Sequence, residues 1–365
     1  MPREVCRSLG VYVIAEAGVN HNGSLEMAME LVDAAARAGA DAIKFQTFRA
    51  DSLVTMGAPK AEYQRLTTAS DETQHTMLKG LELGPPAHKA LLEHCRSRGI
   101  DFLSTPFDEE SLDLLVHELG LRRIKISSGE IVSGPLLLQA ARSGVDIILS
   151  TGMSTIAEVE MALAVLAFGF VSRDVTPSWE EIWRAYHSSE GRSALEEKVV
   201  LLHCTSEYPA PFSDVNLRAM DTLRAAFGLP VGLSDHTEGI AVSIAAVARG
   251  AAVIEKHLTL DKNLPGPDHK ASLEPEELAD LVRSIRQVEQ ALGTGWKGPA
   301  PSEWSNRDLV RKSLIARREI VEGELFTPDN VTFKRPGGGL SPMRYWDVLG
   351  RRAPRSFAKD EVIEI

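Results

Sequence analysis

Eight short apolar runs along this chain end alike, with a small residue and then Lys, Gln, Ser, Thr, Glu or His at the C-terminal end. They are Val11–Gly18, Asp41–Phe48, Asp101–Phe107, Arg123–Gly129, Ile147–Gly152, Val199–Thr205, Val231–Thr237 and Ala252–Leu260. Their richness in Val, Ile and Leu suits strands buried on both faces. Each is followed, directly or after a loop, by a stretch of helical periodicity. In the last of these, Leu278, Leu281, Val282, Ile285, Val288 and Leu292 recur at three- and four-residue steps. An eightfold strand–helix alternation predicts an α/β fold, the (β/α)8 TIM barrel, which gathers its chemistry at the strand C-termini.

The chain has 365 residues, enough for one barrel and a small extra domain. The barrel is expected over 1–292, a Gly-, Pro- and Trp-containing linker over 293–306, and a small β-rich domain over 307–365. In that last part the short β-like runs are Ser313–Ala316, Ile320–Gly323, Val331–Lys334, Asp347–Gly350 and Glu361–Ile365. Two connections are long. Arg49–Pro86 follows strand two and belongs on the catalytic face; Lys60, Tyr63 and Gln64 are its candidates for substrate contact. Gly169–Lys198 precedes strand six and belongs on the opposite face, with Trp179, Trp183 and Tyr186 at helical spacing.

The net charge of −11 argues against a nucleic-acid surface. No apolar run approaches the roughly 20 residues of a membrane span, and Met1–Gly10 has no signal-peptide core. Cys6, Cys95 and Cys204 are odd in number and widely spaced, so a reducing cytoplasm is the simplest reading.

The chemistry-bearing residues cluster at the strand ends. Lys44 and Gln46 share one face of strand two, and Lys125 ends strand four. A lysine inside a barrel is costly unless it meets an anion, which is either a substrate or a glutamate partner. Ser104-Thr105, Ser127-Ser128-Gly129-Glu130 and Ser150-Thr151-Gly152 add hydroxyls and turn N–H groups, the makings of a phosphate or carboxylate cradle. Ser234 and His236 share a face on strand seven, as Glu255 and His257 do on strand eight. Neighbouring strands are about 5 Å apart, so His236 and His257 can meet one metal. Two imidazoles without a thiolate suit a Lewis-acid ion such as Mn2+, with Mg2+ or Co2+ as alternatives. Lys256 points the other way, toward a helix-layer ion pair, and His203 is read as a hydrogen-bonding residue within the barrel. Asn20 and Asn22 can recognise sugar hydroxyls or serve the next helix as caps. Ser206, Glu207 and Tyr208 follow strand six, and Pro265–His269 carries Asp268 toward the mouth.

In order and spacing, Glu16–Gly23, Lys44–Thr47, Ser104–Phe107, Lys125–Glu130, Leu149–Met153, Leu202–Thr205, Ser234–Thr237, Pro265–Asp268 and Lys334–Gly337 resemble the sialic acid synthase family. The resemblance covers nearly the whole chain, and its C-terminal part is similar to the antifreeze-like (SAF) module. It implies condensation of phosphoenolpyruvate with an N-acetylated aldose, releasing phosphate and forming a nine-carbon keto acid. It implies that Lys44, Thr105, Lys125, Ser128, Ser150, Ser206 and Ser234 hold phosphoenolpyruvate and that His236 and His257 bind the metal. It implies that Gln46, Glu130, Tyr208, Asp268 and Arg335 serve the sugar, to which the loop readings add Asn22 and Tyr63; Glu130, Lys44 and Lys125 are the catalytic candidates. It also implies a domain-swapped homodimer in which Arg335 reaches the partner's site. Some members carry Glu at the position of Asn22, which shifts the proton-handling role toward Glu130. The long Gly169–Lys198 segment resembles bacterial members that act on diacetylated sugars, so N-acetylmannosamine and 2,4-diacetamido-2,4,6-trideoxymannose both stand as acceptors. Two other readings of the residues remain open at this point: a Schiff-base pyruvate aldolase on Lys44 or Lys125, and a non-catalytic carbohydrate-binding protein.

Overall fold

A computed structural model describes residues 10–68 and 72–365, apart from the side chains of Tyr63, Leu66 and Thr67. Eight strands form where the apolar runs lie: β1 Tyr12–Gly18, β2 Ala42–Thr47, β3 Asp101–Pro106, β4 Arg123–Ile126, β5 Asp146–Ser150, β6 Val199–Cys204, β7 Val231–Asp235 and β8 Val253–His257. They pair in parallel in the order β3-β2-β1-β8-β7-β6-β5-β4, and β3 lies beside β4, so the sheet curls into a barrel. Register sets the heights of the side chains: Glu16 stands opposite both Lys44 and His257, and Gln46 opposite Thr105.

Alternation divides each strand between two cores. Val13, Ala15, Ile43, Phe45, Ile124, Leu149, Leu201, Leu233 and Ile254 face outward into the helix layer. Tyr12, Ile14, Ala42, Leu103, Ile148, Val200, Leu202 and Val253 fill the lower barrel. Burying each large side chain contributes roughly 1.5–3 kcal/mol. Gly232 is needed where β6 and β8 crowd β7: a Cβ there would lie 2.3 Å from the Val253 carbonyl oxygen. Above the apolar plug the inward positions become polar, and the site begins.

The first loop locks the seam between first and last strands. Asn20 is buried and its Nδ2 donates to the Leu258 carbonyl at 2.8 Å and to Ser272 Oγ at 2.9 Å. Its amide nitrogen therefore ties the first loop to the end of the barrel and does not cap the next helix. The cap of helix Leu25–Ala38 is Ser24, whose side chain accepts from the Met27 N–H.

The Arg49–Pro86 connection folds into the short helices Ala50–Leu53, Glu62–Thr67 and Gln74–Leu81 before helix Pro85–Arg98 begins. The second long connection forms helices Trp179–Tyr186 and Ser189–Lys198, which pack on helix Ile156–Val171. Their aromatic residues stack along one face, Trp179 on Trp183 at 6.4 Å and Trp183 on His187 at 6.1 Å.

The chain divides into two compact units, Met1–Gly293 and Thr294–Ile365. The stretch expected as a linker, 293–306, falls at this division. Its later part is already a 3-10 turn, Pro301–Glu303, leading into helix Trp304–Val310. In the second unit β9 Ser313–Ala316 pairs antiparallel with β10 Val331–Lys334 around a core that includes Leu314, Phe326, Val348 and Phe357. Ile320 and Val362 make isolated bridges only, to Phe357 and Ile315. The run expected as β-like at Asp347–Gly350 is different. Ser341 caps a 3-10 turn that continues into helix Tyr345–Val348, since Pro342 at the first turn starts a helix and cannot donate to a ladder. Among the described residues no helix is long and apolar enough to cross a membrane. Cys95 and Cys204 are free and buried; Cys6 lies outside the described residues.

Candidate active site

The polar layer opens on two lysines met by two glutamates. Lys44 Nζ lies 2.7 Å from Glu16 Oε2 and 3.7 Å from Glu255 Oε2, and donates to Thr105 Oγ1 at 3.1 Å. Lys125 Nζ donates to both oxygens of Glu255, at 2.7 and 3.0 Å, and Ser234 Oγ donates to Glu255 Oε1 at 2.7 Å. Burial by itself lowers the pKa of Lys44, but the Glu16 and Glu255 carboxylates reverse this and hold it above the ordinary lysine value. Burial pulls Lys125 the other way, below that value, against the attraction of Glu255. Burial likewise works to raise Glu255, yet Lys125 and Lys44 keep it ionised, whereas for Glu16 burial outweighs Lys44 and raises its pKa.

Beside the lysines lies a cradle of small groups. The Gly152 N–H donates to Ser128 Oγ at 3.0 Å, and Ser128 Oγ is 3.0 Å from Cys204 Sγ. A Cβ on Gly152 would fall 2.5 Å from Ser206 Oγ and 2.7 Å from Ser128 Oγ, so glycine lets the chain just after β5 run this close to the hydroxyls without displacing them. Ser150 Oγ is buried without a hydrogen-bond partner in the wall of the same cavity. A buried hydroxyl with no protein partner is a ready contact for a polar ligand.

The imidazoles come next. His236 and His257 sit with ring centroids 5.4 Å apart, and Tyr208 lies over His236 at 4.2 Å. His236 Nδ1 is 2.6 Å from the Thr205 carbonyl oxygen. That oxygen can only accept, so Nδ1 carries the proton and Nε2 keeps its lone pair. Burial pushes His236 down to about 4, partly opposed by the Thr205 carbonyl, and pushes His257 well below its ordinary value, helped by His236. Both rings are therefore neutral at pH 7, the form that binds metals. His257 Nδ1 is buried with no hydrogen-bond partner, 3.9 Å from Asp268 Oδ2. Burial raises Asp268 to about 6, against the pull of Lys44. Among the described residues no group of three or more His, Cys, Asp or Glu is arranged to hold an ion. The two neighbouring neutral imidazoles, one with an unpartnered buried Nδ1, are the donors a two-imidazole site would use, its remaining positions left to water or substrate oxygens.

These groups line one cavity of about 320 Å3 at the strand C-termini. Its wall contains Lys44, Gln46, Thr105, Lys125, Ser128, Glu130, Ser150, Ser206, Tyr208, Ser234, His236, His257 and Asp268. Leu53, Val54, Gln64, Gln74, Met77 and Leu78 from the Arg49–Pro86 connection cover it. Glu130 is half-buried on the rim, and burial, with Asp108 adding to it, raises its carboxyl pKa.

The remaining candidates lie elsewhere. Asn22 is not part of this wall; in a left-handed conformation (φ 48°), its Oδ1 faces His269 Nε2 at 3.3 Å. The Tyr63 side chain lies outside the described residues, and Arg335 is exposed in the second unit. Lys60 is buried and donates to Thr68 Oγ1 at 2.9 Å. His203 faces out of the barrel, 2.5 Å from the Val215 carbonyl oxygen. Lys256 is buried in the helix layer 3.2 Å from Asp235 Oδ2. The residues passed over were Glu16 and Cys204. Alternation was the available signal, because Glu16 shares the inward face of β1 with Tyr12 and Ile14, and Cys204 that of β6 with Leu202.

The sequence profile of the NeuB family matches residues 31–297, and that of the SAF domain residues 311–364. The chain belongs to the NeuB family. It is 50% identical over 96% of its length to the N,N'-diacetyllegionaminic acid synthase of Campylobacter jejuni, covering 98% of that protein. To the N,N'-diacetyllegionaminic acid synthase of Legionella pneumophila it is 47% identical, over 94% of this chain and 91% of that one. The crystal structure of the sialic acid synthetase of Leptospira borgpetersenii, in complex with citrate, superposes with a TM-score of 0.65 at 34% identity, covering 81% of this chain and 90% of that one.

Proposed function

We propose that this protein condenses phosphoenolpyruvate with 2,4-diacetamido-2,4,6-trideoxymannose and water, giving N,N'-diacetyllegionaminic acid and phosphate. The observation that carries the reading is the meeting of Lys44 and Lys125 with the Ser128, Ser150 and Ser206 hydroxyls and two neutral imidazoles on one cavity. The diacetylated acceptor is preferred to N-acetylmannosamine because near-full-length identity is high to two synthases of that product.

In this reading the ammonium groups and hydroxyls hold the phosphate and carboxylate of the enol, so that its C3 faces the aldehyde carbon. Gln46, Tyr208 and Asp268 orient the sugar. Glu130, whose carboxyl pKa partial burial raises, gives its proton to the oxygen that becomes the new hydroxyl. His236 and His257 would hold a divalent ion, Mn2+ first and Mg2+ or Co2+ otherwise, which as a Lewis acid would polarise the aldehyde. The protein would work in the cytoplasm as a domain-swapped homodimer, with the exposed Arg335 serving the partner's cavity. The aldolase alternative needs a free neutral amine: the Glu16–Lys44 pair favours an ammonium ion at Lys44, and Lys125, although burial lowers its pKa, is held on both oxygens of Glu255. A carbohydrate-binding protein would need neither lysine.

The test is a phosphate-release assay with phosphoenolpyruvate and a panel of N-acetylated aldoses, run with chelator and after Mn2+ return. Release that depends on the diacetylated sugar and on the metal is the expected result. A pyruvate adduct trapped by borohydride, or saturable sugar binding with no phosphate released from any acceptor, would refute the proposal.

A further inference from the structure

At the other end of the barrel lies a second cavity, about 890 Å3, framed by the N-terminal ends of β3 to β6. Its wall holds four cations, Arg96, Arg122, Arg123 and Lys198, against two carboxylates, Asp101 and Asp146. Both carboxylates are already engaged. Asp101 accepts from the Tyr12 hydroxyl at 2.6 Å, and Asp146 lies 3.7 Å from Lys198. The Arg123 guanidinium sits over the Tyr12 ring, 5.2 Å from its centroid. Among the described residues the Arg96 and Arg122 side chains make no ion pair or hydrogen bond.

This surplus of positive charge is local, in a chain whose net charge is −11. Like charges brought together without partners repel, and a concave basic wall focuses its field on anions. Guanidinium groups match phosphate oxygens in a bidentate manner. The floor beside them is apolar, with the largely buried Leu92 and Leu121 among its lining residues. The size lies within the range of small-molecule sites. Lys198 reaches this wall from the last turn of helix Ser189–Lys198, so the long connection before β6 completes the cavity.

We propose that this cavity binds a small phosphate-bearing polyanion of the nucleoside di- or triphosphate class, at a site separate from the catalytic one. The inference is independent of the reaction assigned to the upper cavity.

Calorimetric titration of the full chain at low ionic strength, with ATP, pyrophosphate and adenosine as probes, tests it. ATP should bind saturably and adenosine should not. Arg122→Glu and Arg96→Glu, both at exposed positions, should each weaken ATP by about tenfold or more. Phosphate-release activity without ATP should be unchanged in either variant. Pyrophosphate competing as well as ATP would identify free polyphosphate as the source, and weaker competition a nucleotide; either upholds a phosphate site. Absence of saturable binding would overturn the proposal. So would binding that survives both arginine changes but is lost in Lys125→Gln, since that places the anion in the upper cavity.

Discussion

Lys125 and Glu255 face each other across the barrel, from β4 and β8, with the ammonium group donating to both carboxylate oxygens at 2.7 and 3.0 Å. The two strands are separated by three others on the ordered side of the sheet, so the pair spans the mouth. Such a bridge supports the cavity from within.

Glu255→Gln should therefore destabilise the protein by about 3–5 kcal/mol, the usual cost of leaving a buried charge without its partner. Urea denaturation measures this. Replacing both residues at once, Lys125→Met with Glu255→Leu, should recover part of the loss, because the unpaired charge is then gone. A single variant within about 0.5 kcal/mol of the parent, the range of ordinary surface changes, would show that the bridge has no structural role.

The imidazole pair makes a separate prediction. His236→Ala and His257→Ala should each weaken Mn2+ binding by at least about 100-fold, which is the upper end of the effect of losing even an outer-shell partner. Metal content after equilibrium dialysis reads it, with circular dichroism confirming that the barrel is intact. Stoichiometric Mn2+ in both variants would remove these residues from the metal site.

Much of this layout was legible in the chain because barrel strands obey two simple periods. Alternation put Lys44, Lys125, His236 and His257 inward, and the run ends put them at the mouth. The same rule would have exposed Glu16, but a glutamate in a long motif attracts attention only once a lysine is known to sit beside it. The placement of Asn20 and Asn22 was less legible. Loop residues have no period, and nothing local shows that Asn20 reaches Leu258 across the closing seam. The run Asp347–Gly350, whose first two residues end helix Tyr345–Val348, reads as β-like because four residues are too few to display either period.

Gly152→Ala should impair the anion cradle with little loss of stability. The added methyl would lie 2.5 Å from Ser206 Oγ, 2.7 Å from Ser128 Oγ and 2.8 Å from Cys204 Sγ. Those groups can turn away, so the fold survives, but they leave the positions proposed to hold the phosphate. The dissociation constant for phosphoenolpyruvate should rise by about tenfold or more, roughly 1.4 kcal/mol. Unchanged affinity would place the phosphate elsewhere in the cavity.

Glu130 gives the clearest pH signature. Its pKa is raised, chiefly by burial and secondarily by Asp108. A carboxyl group whose pKa is higher folded than unfolded binds more protons in the folded state between the two values. Its contribution to stability therefore falls as pH rises through that window, and at neutral pH the buried charge is a burden. Glu130→Gln removes the burden and should raise the melting temperature at pH 7. As the proposed proton donor, Glu130 must be protonated to act, so turnover should decline as pH rises through its folded pKa. In Glu130→Gln that ionisation should vanish from the rate profile, with kcat lower by about 10²–10⁴-fold. Greater stability combined with lost turnover is the mark of a group held in place for chemistry. A variant with parental kcat and an unchanged pH profile would assign the proton to another residue, and Asp268, raised to about 6 by burial in the same cavity, would be the next to replace.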